Sequence, residues 1–183
     1  MTAARDQILH TTSALLEKQG CHATGLNEII RESGAPKGSL YYYFPDGKDQ
    51  LVSEAVLEGA RTVAARIEEH LAEIGLGAFV QRIAESVEAS GYAAGSPLTA
   101  VAMETATTSE RINLACRAAY ALLIAAFEKY LLARGAAPAR AAEQATFITA
   151  AIEGGIILSR TQHSATPLRI VAAYLDTLIL EEA

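Results

Sequence analysis

The stretch Thr24-Gly25-Leu26-Asn27-Glu28-Ile29-Ile30-Arg31-Glu32-Ser33-Gly34-Ala35-Pro36-Lys37-Gly38-Ser39-Leu40-Tyr41-Tyr42-Tyr43-Phe44-Pro45-Asp46-Gly47-Lys48 decides how the first quarter of this chain folds. Leu26, Ile29 and Ile30 recur at helical spacing, with Thr24 placed as a cap and Gly34 as a stop. A second helix, barely two turns long, follows Pro36 and is closed by Pro45-Asp46-Gly47. Upstream, residues 3–19 put Ile8, Thr12, Leu15 and Leu16 on one face, and Gly20 supplies a left-handed end. Three helices within 44 residues, the last two joined by a short glycine-bearing turn, form a helix-turn-helix.

A helix that reads a duplex groove approaches by its N-terminal end and must be small there. Lys37-Gly38-Ser39 meets that need: a cation for a guanine edge or a phosphate, no side chain at the closest point, and a small donor and acceptor. Tyr41, Tyr42 and Tyr43 point about 100° apart on a helix, so they cannot all be core. Leu40 and Phe44 at i and i+4 already supply the inward stripe, which leaves Tyr42 and Tyr43 to face outward, where a phenol donates to phosphate. Thr24 and Lys48, at the starts of the second and fourth helices, flank the same surface.

From Lys48 one apolar register runs through Leu51, Val52, Ala55, Val56, Val63, Ile67 and Leu71 to Gly75, a long helix with Asp46 as its expected N-cap. Further helices are expected at 77–89, 97–105, 110–134, 138–161 and 167–180. Their starts are signalled by Ser96-Pro97, the capping box Thr107 to Glu110, Pro138 and Thr166-Pro167, and their breaks by Gly135 and the His163 region. The fold class is therefore all-α, about nine helices, with a helix-turn-helix domain at 1–47 and a helical domain at 48–183. Composition agrees: 37 alanines against 7 valines favour helix over strand.

Several function classes drop out. Four scattered histidines, with no His-Glu-x-x-His, Gly-x-Ser-x-Gly or phosphate loop, leave catalysis without a site, so no enzyme is expected. Cys21 and Cys116 are remote from each other in sequence and from other ligand types, so neither a disulfide framework nor a metal site is expected, and no cofactor. The longest uncharged run, residues 89–103, is broken by Gly91, Gly95 and Pro97 and is too short to span a membrane. The opening residues lack the layout of a signal peptide, so a cytoplasmic protein is expected. Net charge is −6, but residues 1–50 carry 5 basic and 6 acidic groups, so the acid excess lies downstream. Nucleic-acid binding would then rest on local geometry, not on a basic field.

In the C-terminal part, Tyr92, Met103, Tyr120, Phe127 and Phe147 are the large side chains suited to line a cavity between helices, with Glu104, Arg117 and Gln144 as orienting polar groups. Core packing or surface ion pairing explains each as readily. The last two helices carry more apolar surface than one face needs: Ile148, Ile152, Ile156 and Leu175, with Leu178, suit a subunit interface. Gly154-Gly155 permits close approach of a neighbouring backbone.

The stretch from Thr24 to Lys48 resembles the DNA-binding domain of the TetR family of bacterial transcriptional regulators. The Phe44-Pro45-Asp46-Gly47-Lys48 ending, Gly95-Ser96-Pro97 and Ala151-Ile152-Glu153-Gly154-Gly155 are similar to its LmrA/YxaF-like branch. The resemblance implies a homodimer on a palindromic double-stranded operator, acting as a repressor and released when a small apolar or aromatic effector binds the C-terminal domain. By position it implies phosphate contacts for Thr24, Tyr42, Tyr43 and Lys48, and base-edge positions for Lys37, Gly38, Ser39 and Tyr41. Tyr43 stands where the family often has histidine, and Ser96 where this branch would have cysteine. The other reading open to the residues is a helical protein-interaction adaptor with a non-functional head.

Overall fold

A computed structural model describes the backbone of residues 3–180 and the side chains of residues 3–177. Among the described residues there are nine helices and no strand: α1 (Ala3–Ala23), α2 (Leu26–Ser33), α3 (Lys37–Tyr43), α4 (Lys48–Ile74), α5 (Leu76–Ala89), α6 (Pro97–Thr105), α7 (Glu110–Ala133), α8 (Pro138–Gln162) and α9 (Thr166–Leu180). The all-α expectation holds, with α2 and α6 at their expected bounds. None of these helices is long and apolar enough to cross a membrane.

The helices group into two compact units that cut the chain elsewhere than at residue 47. One comprises residues 1–61 and 96–120, the other 62–95 and 121–183. In the first, α1 packs on α2, α3 and α6. Its core holds Ile8, Leu16, Ile29, Leu40, Phe44, Leu51, Val52, Val101 and Ile112. Each such side chain contributes roughly 2 kcal/mol by leaving water. Arg5 bonds Glu54 at 2.5 Å and lies over the Phe44 ring, joining α1 to α4 and to the end of α3.

In the second unit α5 packs on α8 and α9, and α8 on α9. Phe79 meets Phe127 edge to face at 6.4 Å. The Asp176 carboxylate, from α9, accepts the Gly77 N–H at 2.8 Å and so caps the start of α5 across the unit. A Cβ at Gly77 would overlap that carboxylate.

Four local expectations are corrected. The first helical run does break at Gly20, but at φ +78° and ψ 179° this is an extended kink and no left-handed cap, and the chain turns helically again through Ala23. Gly25, not Thr24, is the N-cap of α2, without a side-chain bond. Asp46 does not cap α4: the first backbone bond runs from Leu51 to Gly47, and the Asp46 carboxylate pairs with Arg111. Ser109, not Thr107, caps α7 by accepting the Ile112 N–H. Ser96 does cap α6 as expected, accepting from Thr99 with Pro97 in the first turn.

Candidate nucleic-acid interface

The short helix α3 is held by its ends and presented by its middle. Leu40 and Phe44 are fully buried, which anchors one face. Pro36 supplies the N-terminal turn, its carbonyl accepting the Ser39 N–H at 2.8 Å. Gly34, left-handed at φ +63°, ends α2 and turns the chain toward α3. On the open side Lys37, Gly38, Tyr41 and Tyr42 are exposed, while Ser39 and Tyr43 are half-buried. Tyr42 is 78% exposed and packs edge to face on Tyr43 at 5.0 Å, which holds its phenol outward.

Gly38 is informative because nothing inside the protein requires it. A Cβ built there meets no atom within 4 Å, and its φ is not among the positive ones. A helical glycine costs about 1 kcal/mol relative to alanine. The residue at the exposed tip is therefore not glycine for internal packing, and it leaves the backbone there open to approach.

The two flanking positions behave differently. Lys48 is half-buried, and its ammonium donates to the Cys21 carbonyl at 2.7 Å, which fixes the charge beside the α3–α4 turn. Thr24 is fully buried, and its hydroxyl donates to the Gly20 carbonyl at 2.6 Å. The expectation that Thr24 offers its side chain to a phosphate is corrected: the hydroxyl is turned inward and its donor is used.

Around this head lie contacts that local pattern does not announce. Glu104, from α6, accepts the His22 N–H at 2.6 Å and lies 2.9 Å from the His22 ring. Ser109 donates to Asp49 at 2.6 Å, and Arg111 to Asp46 at 2.8 Å. Burial pushes the Cys21 thiol up, with Lys48 opposing and Glu104 and Asp49 adding to the rise. The Cys116 thiol is pushed up to about 11, first by burial and then by Cys21. Among the described residues no group of three or more His, Cys, Asp or Glu could hold a metal.

The side chains expected to line an effector cavity do not form one set. Met103 is 76% exposed and Phe147 55% exposed, so both face out of their own units. Phe127 is core against Phe79. Tyr120 bonds Thr99 at 3.0 Å through its hydroxyl, and Tyr92, at φ +65°, sets its ring against His163. Of the polar trio, Glu104 is committed to the end of α1, and Arg117 is exposed.

The expected interface residues are also relocated. Ile148, Ile152, Ile156 and Leu175 are buried within their own unit, so they hold one chain together. Gly155 is buried, and a Cβ there would sit 2.9 Å from Leu168: it serves the approach of α8 to α9. Leu178 lies outside the described side chains. Among the described residues, the large apolar side chains that these two helices expose are instead Phe147, Ile157 and Leu158 on α8 with Ile170 and Tyr174 on α9. Gly154 is the exception among the expected positions, since its missing side chain opens on free space. Helical sequence alone offers two adjacent apolar stripes, and tertiary packing decides which is inside.

Residues 8–55 match the model of bacterial regulatory proteins of the TetR family. Residues 72–174 match the C-terminal domain of LmrA/YxaF-like transcriptional regulators. The chain belongs to the TetR family of transcriptional regulators. It is 38% identical to the HTH-type transcriptional regulator YxaF of Bacillus subtilis (strain 168) over 96% of this chain and 95% of that one. It is also 38% identical to LmrA of the same organism, over 96% of each. Among solved structures it resembles reduced Escherichia coli NemR, with a TM-score of 0.85 at 21% identity over 96% of this chain and 97% of that one. A TetR regulator from Legionella pneumophila superposes with a TM-score of 0.81 at 19% identity, over 97% and 98% of the two chains. As a member of the TetR family the chain is a DNA-binding transcriptional regulator and not an enzyme.

Proposed function

We propose that this TetR-family protein is a cytoplasmic repressor that binds a palindromic operator as a homodimer and releases it when a small apolar or aromatic effector occupies the C-terminal domain. The observation that carries the reading is the outward tip of α3, where Lys37, Gly38, Tyr41 and Tyr42 are exposed over a buried Leu40 and Phe44. Lys37 and Tyr41 take base edges, with Ser39 beside them. Tyr42, Tyr43 and Lys48 position the helix on phosphates. Residues 1–47 are the reading head, and residues 48–183 carry dimerisation and effector response. Two copies joined through the exposed faces of α8 and α9 would present two heads to half-sites about 34 Å apart.

The test is operator binding by gel shift, using a duplex enriched by the wild-type protein from a random-sequence pool. Lys37→Ala is expected to weaken the complex by about 1–3 kcal/mol and to relax the preference at one base pair. Tyr42→Phe should weaken all sequences alike, with dimerisation unchanged for both variants. Undiminished binding by both variants would remove α3 from the interface. A wild-type protein that enriches no duplex would favour the adaptor reading.

A further inference from the structure

We infer that the kinked end of α1, Gly20 to Thr24, is the joint at which α6 holds the DNA-reading head in place, with Glu104 as its positioning residue. The inference rests on the regulator reading above. A helix that turns out of its path at φ +78° frees backbone groups that an unbroken helix would satisfy within itself. Three polar groups of this turn are taken by side chains outside α1, while the Thr24 N–H also closes locally on the Cys21 carbonyl. The Gly20 carbonyl accepts from Thr24, at the entrance to α2, and the Cys21 carbonyl accepts from Lys48, the first residue of α4. The His22 N–H and imidazole both face one oxygen of Glu104, on α6. One turn of backbone thus carries the registration of α2, α4 and α6 together, and α3 packs on the same α1.

Gly20 is needed twice over. Its φ excludes ordinary side chains, and a Cβ at that position would overlap Glu104 Oε1. The carboxylate fills the place of the missing side chain, so kink and partner are matched across 82 residues of sequence. Apolar packing of α6 on α1 tolerates small slides, whereas a charge-assisted bond of 2.6 Å sets a position. The elbow after α6 and the first turn of α7 add two more bonds, Ser109 on Asp49 and Arg111 on Asp46, on either side of Lys48. Displacement of α6 would therefore be delivered to the start of α2 and to Lys48 through named bonds.

The experiment measures full-length Glu104→Ala and Glu104→Gln against the duplex enriched by the wild-type protein, with amide exchange at residues 21–24 and thermal melting alongside. Alanine should weaken the complex about tenfold, an ordinary magnitude for coupled sites, and expose the His22 amide to exchange without loss of helix content. Glutamine, which keeps an oxygen for the His22 N–H, should recover most of the affinity and the protection. Affinity of Glu104→Ala within about twofold of wild type overturns the joint while leaving the regulator reading intact. If the alanine variant does not fold, Arg111→Ala takes its place, and wild-type affinity there overturns the inference. A wild-type chain that enriches no duplex removes both readings at once.

Discussion

At the scale of single residues, the most telling positions are those where the protein has no internal use for what it carries. Gly38 is one: alanine there meets nothing, so Gly38→Ala should leave the melting temperature unchanged or slightly raised. It should also weaken operator binding several-fold by keeping the backbone from the duplex, and a variant that melts higher yet binds as well as wild type would detach Gly38 from recognition. Thr24 is the opposite case. Its place before an apolar run reads as a cap or a phosphate ligand, but its hydroxyl proton is given to the Gly20 carbonyl and the N-cap position falls to Gly25. The buried thiols give a pH test. With Cys116 raised to about 11 from 9.0, the folded chain keeps a proton that the unfolded chain releases in that interval. Stability from this group is full below pH 9 and falls as pH rises toward 11. Urea midpoints taken across that window should show the decline, and Cys116→Ala should flatten it; equal slopes would remove the thiol as its source.

At the scale of elements, helix existence follows from apolar spacing, and helix ends follow from chemistry that is partly remote. Ser96-Pro97 starts α6 as read because both signals act within one turn. The start of α5 does not work that way: its N–H at Gly77 is capped by Asp176, 99 residues downstream. Asp176→Ala should therefore cost about 1 kcal/mol, the usual loss of a cap, read as a lower urea midpoint with unchanged slope. A midpoint equal to wild type would mean that water replaces the carboxylate without loss. The kink in α1 was equally hidden. A glycine after an amphipathic run is the ordinary sign of a helix end, and nothing local announces the Glu104 carboxylate that arrives from α6 to accept the His22 N–H just past it.

At the scale of the whole molecule, a charge of −6 offers no basic field, and the proposed reading places the attraction to DNA on a few local cations such as Lys37 and Lys48. The assembly prediction also belongs here. Phe147, Ile157, Leu158, Ile170 and Tyr174 are exposed on α8 and α9, and on the proposed homodimer reading Leu158→Arg should shift the protein from dimer to monomer in analytical ultracentrifugation. Its operator affinity should fall with it, whereas a monomeric wild type would move the search to another face. Ile152→Val, inside one unit, should instead lower stability by about 1 kcal/mol and leave assembly alone. What could be read from residues in order was the all-α class, the helix-turn-helix and the exposure of Tyr42, though not that of Tyr41 or the half-burial of Tyr43, since periodicity, turns and caps act over three or four positions. Which of two apolar stripes on α8 is core, where Glu104 belongs, and why Gly20 bends a helix required the folded chain, because those answers depend on contacts between residues tens of positions apart.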